Sequence, residues 1–177
     1  MAGWSPFRVL SLDPSKGKDA DKGDYSAFVR IGIDRSGIMY VEADLQRRPT
    51  PQIVADGVEM VRLFKPDGFA IETNQFQELL CADFLRVGQE QQTHLPIFEI
   101  NNQVNKNVRI RRLGPHLSQR KLRFKTRSPG TGLLVQQMKD FPVGDHDDGP
   151  DALEQGLRLL IELWNGQSQQ PVGRLVV

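Results

Sequence analysis

Hydrophobic and polar positions change period several times along the chain, and each change predicts an element. Phe7, Val9, Leu10 and Leu12 form a short apolar run that stops at Asp13-Pro14, where proline ends regular pairing. This predicts a first strand with Asp13 at its end. A Gly-, Lys- and Asp-rich loop, Ser15 to Asp24, separates it from two β-prone segments, Tyr25 to Ile33 and Ile38 to Leu45. Asp34-Arg35-Ser36-Gly37 between them predicts a hairpin turn. From Thr50 to Phe64 the period lengthens: Ile53, Val54, Val58, Val61 and Phe64 recur at helical spacing, with Pro51 suited to a first turn.

Gly68 to Ile71 is a brief apolar run that ends on Glu72-Thr73-Asn74 and reads as a buried strand closing on a carboxylate. Phe76, Leu79, Leu80, Phe84 and Val87 return to helical spacing, and Pro96 to Ile100 supplies one further strand. Asn105 to Arg112 is compatible with a helix, Gly114-Pro115 interrupts it, and Lys121 to Lys125 alternates like an exposed strand. Periodicity alone leaves that region open between helix and strand. Thr131 to Phe141 reads as a helix. After the loop Gly144 to Pro150, Pro150-Asp151 opens a last helix carrying Leu153, Leu157, Leu160, Ile161 and Trp164. The order β-β-β-α-β-α-β, then a mixed region and a terminal helix, predicts an α/β fold with a mixed sheet and helices on both faces. One domain over residues 1–164 and a loosely ordered Gly/Gln-rich tail over residues 165–177 are expected.

Composition agrees with one globular domain: 177 residues, 38% hydrophobic, 25% charged, net charge +1. No apolar run approaches the ~20 residues that span a bilayer. Met1 to Phe7 lacks the charged and apolar regions of a secretory leader, which predicts a cytoplasmic protein. A single cysteine, Cys81, sits among Leu79, Leu80 and Ala82 and is expected to behave as a small buried hydrophobe. The charge is unevenly placed. Between Ile100 and Lys139 there are ten Lys or Arg residues and no Asp or Glu, so this stretch is +10 and the remainder −9. An acid-free block containing Lys106, Arg109, Arg111, Arg112, Arg120, Lys121, Arg123, Lys125 and Arg127 points to a polyanion, most commonly nucleic acid, against the plain alternative of a solvated basic face.

Acids far apart in sequence share one kind of structural position. Asp13 and Glu72 end strands, and Asp148 and Asp151, three residues apart, begin the last helix, where they share a face. Taken singly, each is also explained as a turn residue or helix cap. Together they form a hard oxygen cluster suited to Mg²⁺ or Mn²⁺, and two such ions beside a phosphate-binding surface are what phosphodiester hydrolysis requires. Other chemistries fit less well. Gly17-Lys18 lacks the glycines of an ATPase phosphate loop, and His94, His116 and His146 have neither zinc-ligand spacing nor a nucleophile motif. Pro66-Asp67 with Glu72-Thr73-Asn74 departs from the restriction-nuclease pattern, since Asn74 stands where a lysine is expected. His146, beside Asp147 and Asp148, is either a solvated loop residue or an aid to the acids.

Four segments in order resemble the C-terminal nuclease domain of phage terminase large subunits, within the RNase H-like superfamily. They are Leu12-Asp13-Pro14 with Lys22-Gly23-Asp24-Tyr25-Ser26-Ala27, Ile71-Glu72-Thr73-Asn74, Lys106-Asn107-Val108-Arg109-Ile110, and Asp147-Asp148-Gly149-Pro150-Asp151-Ala152-Leu153. The resemblance runs from about Phe7 to Leu163 and implies an RNase H-like mixed β-sheet flanked by helices. It further implies a two-metal endonuclease cutting double-stranded DNA during genome packaging in a bacterial host, as part of a phage or prophage. Asp13 would bridge the two ions, Glu72 would bind one, and Asp151 helped by Asp148 would complete the site, with Asp147 the less favoured substitute. Lys106 and Arg109 would lie by the DNA phosphates, with Arg111, Arg112, Arg120 and Lys121 extending that surface. The implied partners are a terminase ATPase domain, a small terminase subunit and a portal. The family's usual N-terminal ATPase domain has no counterpart in these residues, which leaves packaging itself open. Two further readings stand beside this one: a junction resolvase of the same fold, and a catalytically silent DNA-binding assembly module.

Overall fold

The computed structural model describes residues 7–14, 25–72 and 78–166. In chain order these form β1 (Phe7–Asp13), β2 (Ser26–Ile33), β3 (Met39–Gln46), α1 (Thr50–Phe64), β4 (Gly68–Glu72), α2 (Glu78–Glu90) and β5 (Ile97–Ile100), followed by α3 (Lys106–Arg111), α4 (Gly114–Ser118), β6 (Leu122–Phe124), α5 (Pro129–Asp140) and α6 (Asp148–Trp164). The strands make one mixed sheet in the order β5-β4-β1-β2-β3-β6. β1 pairs with β2 and β2 with β3 antiparallel, whereas β4 joins β1, β5 joins β4 and β6 joins β3 in parallel. The loop Ser15 to Asp24, the start of the second helix at Phe76 and the tail from residue 167 onward lie outside the described residues, as do Thr73 and Asn74.

Period-two alternation builds two cores. Leu10 and Leu12 of β1 join Phe28, Phe69, Ile71, Val58 and Phe84 under α1 and α2. Val9 faces the other way, into a core with Val29, Ile31, Val41, Leu134, Leu153, Leu157 and Leu160 beneath α5 and α6. Asp13, two steps beyond Ser11 on that second face, reaches the strand end under α6. β1 and β4 are parallel with Leu12 opposite Ile71, so the next residue of each strand, Asp13 and Glu72, ends up side by side. The expected hairpin is also present: Asp34 Oδ1 accepts hydrogen bonds from the Ser36 and Ile38 backbone N–H at 2.9 and 3.0 Å, and Gly37 takes a φ of +80°.

The basic region, open between helix and strand from periodicity, contains both. Asn105 caps α3 by accepting the Asn107 N–H at 2.9 Å, and β6 is a three-residue edge strand beside β3. Gly114-Pro115 does not simply interrupt a helix. Pro115 stands in the first turn of α4, where its missing N–H costs nothing. Among the described residues no helix is long and apolar enough to cross a membrane. Cys81 is buried as expected, and burial pushes its thiol pKa up to about 12, with the Glu99 charge adding to the effect.

Close approach of α6 to the sheet depends on Gly156. A Cβ there would lie 2.8 Å from Ser11 Cβ and 2.9 Å from Ile31 Cδ1. Gly156→Val is therefore expected to lift α6 and destabilise the protein by about 1–3 kcal/mol, the usual cost of overpacking. At roughly 2–4 °C per kcal/mol for a chain of this size, thermal melting should register a clear fall, and an unchanged midpoint would contradict the packing argument.

Candidate metal centre

Three elements bring their acids to one point. Asp13 closes β1, Glu72 closes β4 and Asp151 stands in the first turn of α6; one carboxylate oxygen from each lies within 4.8 Å of the others. Asp13 and Asp151 are 7% and 1% exposed, so the cluster is largely withdrawn from water. Asp148 is buried beside them, outside that group of three, and accepts the Tyr25 backbone N–H at 3.2 Å. Asp148 and Asp151 both occupy the positive end of the α6 dipole, which favours their negative charge. Asp147, one residue earlier, turns to Lys106 instead, at 2.9 Å.

Two cations from α3 enter this cluster. Lys106 Nζ lies 3.3 Å from Asp13, 3.6 Å from Asp151 and 3.8 Å from Asp148 in addition to its bond with Asp147. Arg109 grips Asp151 with Nη2 at 2.8 and 2.7 Å and Nε at 3.2 Å, donates from Nη1 to the Val104 carbonyl at 3.0 Å, and stands 3.9 Å from Glu72. α3 places these residues three apart on one face, with buried Ile110 anchoring the turn.

The energetic consequences are mixed. Burial pushes the Asp13 pKa well above 3.8; Lys106 pulls it back, and the charges of Asp151, Asp148 and Glu72 raise it further. Burial likewise raises Asp151, partly offset by the Arg109 hydrogen bonds and by Lys106. Burial alone would lower Lys106, but Asp13, Asp151 and Asp147 outweigh it and hold the ammonium above its ordinary value. The acids thus crowd together more tightly than their own cations compensate. An all-oxygen donor set that remains underneutralised is chemically suited to a hard divalent cation such as Mg²⁺ or Mn²⁺.

The sequence expectations sort unevenly onto this geometry. Asp13, Glu72 and Asp151 meet; Asp148 adjoins them. Arg109, expected at the DNA phosphates, is 4% exposed and turned inward, because Asp151 and the Val104 carbonyl take its donors. Lys106 also faces the acids, though its side chain keeps 34% exposure. Arg111, Arg112, Arg120 and Lys121 are all exposed, Arg112 with Glu154 at 3.5 Å. His146 packs edge-on against Tyr25, ring centroids 5.1 Å apart. Glu154 and Gln155, both buried on α6, were not expected at the site. Their spacing of three and four from Asp151 on an amphipathic helix is the signal that points to them. Gln155 Nε2 donates to Glu72 Oε2 at 3.3 Å, and Glu154 accepts from Arg158 at 3.2 Å.

No protein-family model matches the chain, and no curated protein sequence matches it. Several solved structures do. Thermus thermophilus RuvC superposes with a TM-score of 0.54 at 12% identity, covering 93% of this chain and 99% of that one. The fowlpox virus Holliday junction resolvase gives 0.57 at 13% identity, over 88% of this chain and 99% of that one. The large terminase of bacteriophage HK97 gives 0.59 at 13% identity, over 87% of this chain but 39% of that one. At such identities the likeness is one of fold, an RNase H-like mixed sheet flanked by helices on both faces.

Proposed function

We propose that this protein is a divalent-metal-dependent endonuclease that hydrolyses the phosphodiesters of double-stranded DNA. The observation that carries this reading is the convergence of Asp13, Glu72 and Asp151 oxygens within 4.8 Å at the ends of β1, β4 and α6. Asp13, Glu72 and Asp151, with Asp148 alongside, would hold two Mg²⁺ or Mn²⁺ ions. When bound, such ions polarise phosphate oxygens and lower the pKa of coordinated water. Lys106 and Arg109 balance part of the acid charge, and Arg109 fixes the Asp151 rotamer. The exposed cations Arg111, Arg120 and Lys121 form the surface on which a DNA backbone would lie.

In the finer reading this is a terminase-type nuclease acting in the bacterial cytoplasm with an ATPase domain, a small terminase subunit and a portal. A second reading, cleavage of branched DNA, is supported by the likeness to two resolvases over 99% of their chains. One experiment separates these readings. Supercoiled plasmid, linear duplex and a four-way junction are offered with Mn²⁺, Mg²⁺ or EDTA. Metal-dependent nicking and linearisation of plasmid is the expected result, and marked preference for the junction would move the assignment to a resolvase. Salt-sensitive DNA binding with no cleavage in either metal would overturn the nuclease and leave a silent DNA-binding module.

A further inference from the structure

Among the acids of the cluster, Glu72 has the longest side chain and the weakest hold. Asp151 is gripped by three Arg109 hydrogen bonds, and Asp13 is met by the Lys106 ammonium at 3.3 Å. The Glu72 carboxylate has Arg109 only at 3.9 Å, and its one hydrogen-bond donor among the described residues is Gln155, at 3.3 Å. Gln155 is itself fully buried, and its Oε1 has no hydrogen-bond partner among the described residues. A buried amide with an unpaired carbonyl oxygen costs stability where an apolar side chain of the same length would not. Packing therefore does not account for a glutamine here. Its position does: four residues beyond Asp151 on the same face of α6, where Gly156 lets the helix approach β1, its amide reaches the acid at the end of β4.

We propose that Gln155 is the positioning residue for Glu72, holding that carboxylate in the orientation that completes the cation site with Asp13 and Asp151. The proposal rests on the metal-site reading above. Groups that orient metal ligands from behind contribute about 10-fold or more to metal affinity, even though they touch no ion. Gln155 thus trades stability of the metal-free protein for strength of cation binding.

The test is Mn²⁺ titration of the full chain by calorimetry, with thermal melting in EDTA. Gln155→Met keeps the length and removes the donor, and Gln155→Leu serves as a second apolar variant. Mn²⁺ binding about 10-fold weaker, with a metal-free melting temperature equal to or above wild type, is the expected result. A merely structural glutamine would lower stability instead. In a Glu72→Gln background the Gln155→Met substitution should no longer change Mn²⁺ affinity, because the two residues act through one contact. Wild-type affinity in a folded Gln155→Met protein would overturn the positioning role alone. Absence of Mn²⁺ binding by wild type would overturn the metal-site reading itself, and the positioning role with it.

Discussion

Asp13→Asn is expected to reduce cleavage by about 10³-fold, the rate equivalent of roughly 4 kcal/mol, while making the metal-free protein more stable. The two effects have one cause. Asp13 sits where burial, Asp151, Asp148 and Glu72 all oppose its charge, and Lys106 offsets only part of that. A carboxyl whose folded pKa is raised favours the folded state fully below its unfolded value near 3.8, and that contribution is lost as pH rises through the folded value. At neutral pH wild type therefore carries a buried anion at a cost, and the asparagine variant does not. In EDTA the variant should melt higher than wild type at pH 8, and the gap should narrow as pH falls toward 4. Mn²⁺ reverses the ranking, because it stabilises only a chain that binds it. Lys106 also has Asp147 at 2.9 Å, so losing the Asp13 charge does not strand the ammonium. Undiminished cleavage by Asp13→Asn would remove Asp13 from the site.

Much of the candidate centre is legible in the sequence, and the rest depends on contacts that spacing does not record. Alternation in Phe7 to Leu12 placed Asp13 at a strand end, and the apolar run Gly68 to Ile71 did the same for Glu72; parallel pairing then set them adjacent. The spacing of Asp148 and Asp151 gave a shared helical turn. It did not say which acid points at the others, because that depends on Tyr25, whose N–H takes Asp148, and on Arg109, which takes Asp151. The cations were harder. An acid-free run of Lys and Arg reads as a surface, since buried and exposed arginines contribute alike to a charge count. Arg109 lies inward because it neighbours Ile110 and stands four residues before Leu113, both buried, a cue of packing and not of charge. Glu154 and Gln155 do not read as site residues from charge alone, because polar residues in a helix usually face water. Gly114-Pro115 reads as an interruption in the sequence, yet α3 ends before it, at Arg111, and Pro115 stands in the first turn of α4.

Arg109 carries the second large effect, on stability. Arg109→Met removes three hydrogen bonds from an aspartate that is 1% exposed, leaving it Lys106 at 3.6 Å, and takes away the Arg109 donor to the Val104 carbonyl. Breaking a buried pair from one side costs about 3–5 kcal/mol, so the melting temperature should fall by roughly 10 °C. Arg109→Lys restores charge without the planar fork and should recover only part of this. The pH dependence follows from Asp151, whose folded pKa burial already raises despite Arg109. Without Arg109 it rises further, so the added penalty is present at neutral pH and fades as protonation relieves it toward pH 4. Removing both charges in Arg109→Met/Asp151→Leu should return stability toward wild type while leaving cleavage lost. A surface role would give a different pattern: melting unchanged, and a shallower salt dependence of DNA binding, by about one ion for each phosphate contact removed. That second pattern is expected for Arg111→Ala or Lys121→Ala, both exposed, and its appearance in Arg109→Met would return this arginine to the DNA surface.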